Sequence, residues 1–296
     1  MNLILRIKQI ANQHFDAMVA NRRHLHRNPE LSFEEFATTK FIAEKLKEIG
    51  YNLQTITETG GYIDILGKNP GYRVIALRGD IDALPIFEKN EVEYKSQNEG
   101  KMHACGHDVH TTSLLGAVRI LHELREEFEG TIRCIFQPGE ERLPGGASIM
   151  IREGVLKNPN VESIIGQHVM PLMDAGKVGF RPGLYMASAD EIYIRVIGKG
   201  GHGAHPHQNI DPVMIAAQII TQLQTIPSRR AKPSIPTVLS IGKVIAEGST
   251  NIIPNEVYME GTFRTYDEEW RAKAHQLIVQ MCNDICKLHG ATCEAE

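Results

Sequence analysis

The sequence predicts an α/β protein, a mostly parallel sheet flanked by helices, followed by a smaller α+β domain. Three observations predict it. Short apolar runs alternate with stretches of helical periodicity over residues 1–184. Several of those runs open directly into turns bearing acids or histidines, where open α/β sheets carry their sites. In 185–296 the pattern changes to alternating apolar and polar residues, as in half-exposed strands of an antiparallel sheet covered on one face. The expected domains are therefore 1–184 and 185–296.

Taken in order, Ile4, Ile7, Ile10, Ala11, Phe15 and Met18 recur at helical spacing, and Asn28-Pro29 ends that helix near His26. Arg22, Arg23, His24, His26 and Arg27 at its end read as a solvated face. Ser32-x-x-Glu35 has the form of a capping box for a second helix ending at Gly50. Strands are expected at 51–57, 62–67 and 73–77, the last entering Arg78-Gly79-Asp80-Ile81-Asp82. A loop, 101–110, precedes a helix over 111–127, then a strand over 131–136 that opens into Gln137-Pro138-Gly139-Glu140-Glu141. A short helix over 145–153 and a strand over 161–167 lead to His168. In the second part, strands near 191–197, 237–245, 256–263 and from 291 surround helices that start at Asp211-Pro212 and at Glu268.

At 296 residues and a net charge of −4, the chain can bury a core and offers no basic stripe for nucleic acid. No apolar run approaches the ~20 residues needed to cross a bilayer. Five widely spaced cysteines suit a reducing compartment, so the cytoplasm is the expected location. Cys282 and Cys286, one helical turn apart, read as core residues.

Chemistry concentrates in K-M-H-A-C-G-H-D-V-H, residues 101–110. His103, Cys105, His107, Asp108 and His110 are all metal-capable, and imidazole with thiolate suits zinc and its neighbours. One histidine in a polar loop would mean little; this density favours a metal. Glu140 and Glu141 at a strand end can divide labour between proton transfer and metal binding. Alone, that pair would read as a solvated turn, and Asp80 with Asp82 as an Asp-rich one.

Six motifs in order, R-R-H-L-H-R-N-P-E-L-S, R-G-D-I-D-A-L-P, H-A-C-G-H-D-V-H, Q-P-G-E-E, G-Q-H-V and G-K-G-G-H-G-A-H-P, resemble the aminoacylase-type family of two-metal amidohydrolases and exopeptidases. Within it, the chain is similar to the branch holding hippurate hydrolases, N-acetyl-diaminopimelate deacetylases and auxin-conjugate hydrolases. The resemblance implies a zinc-exopeptidase-like catalytic domain with an inserted lid and dimerisation domain. It implies Cys105, His107, Glu141 and His168 as metal ligands, for two divalent ions, zinc or manganese, with cobalt or nickel as alternatives. It implies Glu140 as general base, Asp82 as the acid that orients a ligand imidazole, and a cis peptide after Asp82. His202 matches the lid histidine that helps hold the oxyanion, while Asn251 and Arg264 match substrate-binding positions. The family's fifth ligand, a histidine on a return segment after the lid, has no counterpart before Glu296, so the catalytic domain is expected to lack that segment.

The implied activity is hydrolysis of N-acyl-L-amino acids to a carboxylate and a free amino acid, by a homodimer joined through the lid. The alternatives are a carboxypeptidase or dipeptidase acting on short peptides, and a catalytically silent binding or dimerising fragment.

Overall fold

The computed structural model describes residues 2–296. It divides into two compact units, one ending at Ala175 and the other spanning Gly176–Glu296. The division falls in the irregular stretch between two strands that also contains the expected 184/185 boundary.

The first unit opens with α1 (Leu3–Arg27) and α2 (Phe36–Ile49). Strands β1 (Gly61–Leu66) and β2 (Val74–Asp80) follow, then α3 (His107–Glu123), β3 (Thr131–Gln137), α4 (Gly146–Arg152) and β4 (Ser163–Gly166). The sheet order is β1-β3-β2-β4, with β2 parallel to both β3 and β4 and β1 antiparallel at one edge. Alternating side chains of β3 reach two cores. Cys134 and Phe136 pack with Ile42 and Leu46 of α2 and Leu114, Leu115 and Val118 of α3. Ile135 joins Ala76, Met150 and Val155 on the opposite face. Helices therefore cover both faces, as the alternation of strand and helix predicts. The outer strand β4 is exposed along its length.

One charge sits deep in this unit. Arg133 of β3, fully buried, donates to both Asp64 carboxylate oxygens at 2.8 Å and to the carbonyls of Val155, Lys157 and Asn158. It ties β3 to β1 and to the segment after α4.

Local expectations differ from the structure in several places. The stretch 51–57 is not a strand; only Gln54 pairs, with Tyr62, while Tyr51 and Leu53 turn into the core. The capping box does not form. Glu35 makes no side-chain cap bond, and the first turn of α2 is capped by Glu30, whose carboxylate accepts from Ala37 N and Thr38 N. His26 is buried between Asp108 and Glu88, so the cluster ending α1 is not simply a solvated face. The peptide after Asp82 is trans, since the cis bonds among the described residues precede Pro144 and Pro159.

The second unit contains β5 (Asp190–Ile197), β6 (Gly201–His202), α5 (Pro212–Leu223), β7 (Thr237–Ile245), β8 (Ile252–Ile253), β9 (Glu256–Thr265), α6 (Glu268–Leu288) and β10 (Thr292–Ala295). Its antiparallel sheet runs β10-β5-β9-β7. Ile192, Ile194 and Val196 of β5 point to one face, where they pack with Ile215 and Ile219 of α5 and Ala274, Ile278 and Cys282 of α6. Asp211 and Asp267 cap the two helices through their side chains. Cys282 and Cys286 are core residues, as expected.

Candidate metal centre

The site forms where β2, β3 and β4 end, because parallel strands deliver their carboxyl ends to one side of a sheet. β2 terminates at Asp80, with Asp82 two residues on; β3 leads to Glu140 and Glu141; β4 leads to His168. The fourth contribution is the start of α3. This helix begins at His107, four residues earlier than its periodicity suggests, so His107 and His110 lie on a rigid first turn, not in a loop. Gly106 makes the junction. Its φ is +82°, and a Cβ there would lie 2.3 Å from Val169 Cγ2.

Cys105 Sγ lies 3.3 Å from His168 Nε2. His107 donates through Nδ1 to Asp82 Oδ1 at 3.2 Å, which leaves Nε2 pointing at Asp80 Oδ2 (3.6 Å), Glu141 Oε1 (3.6 Å) and Glu140 Oε2 (3.9 Å). That nitrogen is buried and has no hydrogen-bond partner. Two groups of potential ligands, Cys105/His107/His168 and His107/Glu140/Glu141, each hold their donor atoms within 4.8 Å of one another and share His107. Asp80, His107 and His110 form a third such group. However, His110 uses Nδ1 on Asp80 at 2.6 Å, and its Nε2 accepts from Val169 N at 2.9 Å, so it has no free donor atom. It braces the backbone beside His168.

The electrostatics are those of a place for cations. Burial and the Glu141, Glu140 and Asp80 carboxylates push the Cys105 thiol up to about 12. Burial and the adjacent Glu141 raise Glu140 above its ordinary range. For Asp80, burial acts upward, but the His110 hydrogen bond and Arg78 outweigh it and hold the carboxyl at about 2. Burial acts downward on His107, but Asp82, Asp80 and Glu141 outweigh it and raise the imidazole, because carboxylates crowded together repel until positive charge is added. Thiolate, imidazole and carboxylate donors suit a first-row divalent ion, and these residues fit one.

Residues 76–293 match the family model described as peptidase family M20/M25/M40. The chain belongs to that family. M20 relatives include an N-acyl-L-amino acid amidohydrolase of Geobacillus stearothermophilus, 44% identical over 97% of this chain and 77% of the relative. Another is thermostable carboxypeptidase 2 of Saccharolobus solfataricus, 40% identical over 100% of this chain and 75% of the relative. Among solved structures, a dinuclear metal-binding M20 peptidase of Bacillus subtilis superposes with a TM-score of 0.77 at 37% identity. That match covers 98% of this chain and 74% of the other.

Within this M20 chain, Asp82, Cys105, His107, Glu140, Glu141 and His168 come together in the first unit. His202, Asn251 and Arg264 belong to the second. His202, exposed on β6, accepts from Ala204 N, and the next residue, Gly203, donates to Asn251 O at 2.8 Å. Arg264 is exposed on β9. The reading from sequence missed three contributors: His110 as a brace, Ser32, whose hydroxyl donates to Asp82 at 2.6 Å, and Glu35, which binds Gly139 N. The motif R-N-P-E-L-S was the available signal for Ser32; nothing local distinguished Glu35 from a capping residue.

Proposed function

We propose that this chain is a metal-dependent amidohydrolase that cleaves N-acyl-L-amino acids to a carboxylate and a free amino acid. The observation that carries the reading is His107 Nε2, buried without a partner and facing three carboxylates next to Cys105 and His168. Cys105, His107, Glu141 and His168 would hold the ions, zinc or manganese in the first instance. Two bound divalent ions would polarise the scissile carbonyl and bring the pKa of the nucleophilic water toward neutrality.

The side chains supply the rest. Asp82 accepts from His107 Nδ1 and so keeps the lone pair on Nε2. The same carboxylate accepts from Glu141 N at 3.0 Å and fixes that backbone. Glu140 takes a proton from the attacking water and returns it to the leaving nitrogen. His202 assists the oxyanion, and Arg264 with Asn251 grips the carboxylate of the amino-acid half. We assign the protein to the cytoplasm, as a homodimer joined through the second unit. No helix among the described residues is long and apolar enough to cross a membrane.

The carboxypeptidase relative supports a second reading with the same chemistry, in which the acyl group is a peptide. Turnover of N-acetyl, N-benzoyl and dipeptide substrates, with added manganese or zinc and with chelator, tests both. Chelator-sensitive release, abolished in Glu140→Gln, is the expected result. Metal-loaded folded protein without turnover on any substrate would leave a binding protein as the reading.

A further inference from the structure

The link between α1 and α2, N-P-E-L-S-F-E-E over residues 28–35, supplies no metal ligand or proton-transfer group, yet it touches both loops that carry them. Leu31 bridges Ala83 in parallel, and Ala83 N donates to Glu30 O at 2.8 Å. Ser32 donates to Asp82. Phe33 adopts a left-handed backbone with φ +68°, and its ring occupies the space beside Gly139, where a Cβ would lie 2.3 Å from Phe33 Cε1. Glu35, 0% exposed, accepts from Thr59 Oγ1 and from Gly139 N, both at 2.7 Å. Gly139 immediately precedes Glu140 and Glu141.

The fold does not need this carboxyl group for its helix, because Glu30 already satisfies the first turn of α2. Nor does a cation neutralise it, since its partners are a hydroxyl and backbone N–H groups. Burying a carboxyl among neutral partners opposes folding, and what it gains in return is an acceptor for Gly139 N and Thr59 Oγ1, which an apolar residue of similar volume would leave unpaired. What an acceptor at this position provides is a partner for Gly139 N, the side of that residue that the Gly146 N bond to Gly139 O (2.8 Å) does not hold. That glycine, at φ +54°, is held on one side by the Phe33 ring and on the other by Glu35 Oε1.

We propose that Glu35 is a positioning residue for the hydrolytic reaction: by holding Gly139 N it sets where Glu140 and Glu141 stand. The proposal rests on Glu140 being the base. Displacing a reacting group by about an ångström costs up to about 100-fold in rate.

The test compares Glu35→Met, which keeps the volume and removes the acceptor, with Glu35→Gln, which keeps an oxygen for Gly139 N. Thr59→Val removes the other partner only. All are measured in the metal-loaded protein, with Glu140→Gln run in parallel. Glu35→Met is expected to lower kcat by about 30-fold with KM within about threefold, the pattern of an interaction felt in the transition state. Glu35→Gln and Thr59→Val are expected to stay within about fivefold of the parent. The visible spectrum of the cobalt-substituted protein should change in Glu35→Met and persist in Glu35→Gln, because Glu141 moves with Gly139. If Glu35→Met does not fold, Glu35→Asp carries the test, since its carboxyl is buried but one methylene too short to reach Gly139. Its kcat should drop by about tenfold. Unchanged kcat and cobalt spectrum in a folded Met or Asp variant, with only thermal stability lowered, would overturn the proposal. So would equal losses in Glu35→Met and Glu35→Gln. Loss of turnover in Glu140→Gln alongside a fully active Glu35→Met would overturn the positioning role alone. Turnover surviving in Glu140→Gln would overturn the assignment of the base and this proposal with it.

Discussion

Replacing Asp82 by Asn changes one atom and should disarm His107. Asp82 is completely buried and receives three donors: His107 Nδ1 on Oδ1, and Ser32 Oγ with Glu141 N on Oδ2. An amide has one oxygen. Two donors already share the Oδ2 position, so the oxygen stays there and the NH2 faces His107 Nδ1. The imidazole then accepts at Nδ1 and carries its proton on Nε2, the atom that points at the carboxylates. The number of hydrogen bonds is unchanged, so the metal-free protein should lose only charge assistance, about 1–2 kcal/mol by urea unfolding. Metal affinity should fall by about 10–100-fold, equivalent to about 1.4–2.8 kcal/mol. Calorimetric titration with zinc or manganese measures this, and Ser32→Ala, which leaves the tautomer alone, is the control. An Asp82→Asn protein binding metal within about twofold of the parent would refute the reasoning.

Two further outcomes follow from charged pairs away from the metal site. Arg133→Met should destabilise the first unit by about 3–5 kcal/mol in urea, because it strands Asp64 and three carbonyls with no donor. Asp190 accepts a forked pair from Arg271 and a bond from Ser188; burial acts upward on it, but these donors keep its carboxyl below the ordinary 3.8. Its contribution is complete above that value and disappears as pH falls through the lower folded value. Asp190→Asn should therefore lower the Tm of the protein at pH 7, and the difference should shrink below about pH 4.

The architecture was legible in the sequence because it is written in local patterns, and the residues that gather at the candidate centre were named from the resemblance of their motifs. Apolar runs mark β2 and β3, and Cys105 and His107 lie two residues apart. The supporting residues were harder to read. Ser32 and Glu35 have the spacing of a capping box, and only the return of the chain past Asp82 and Gly139 gives them other partners. His26 resembled a solvated residue until Asp108, far along the chain, enclosed it. The start of α3 was misplaced because His107, Asp108 and His110 have no apolar periodicity; they are buried through polar contacts, which a hydrophobic pattern cannot register. The cis peptide was expected from resemblance alone, and the backbone near Asp82 is instead held by pairing of Ala83 with Leu31.

The centre also has a kinetic consequence. Its side chains come from the ends of three parallel strands and from the start of α3, at positions as far apart in the chain as Asp82 and His168. No pair of loops can offer the full donor set until β2 has found both β3 and β4 in register. Contacts of such long sequence separation form late. A cation added during refolding would meet scattered single ligands on the way up the barrier and the complete cage only beyond it. Metal should therefore leave the folding rate nearly unaltered and slow unfolding, so that its protection is felt as a longer lifetime of the native state.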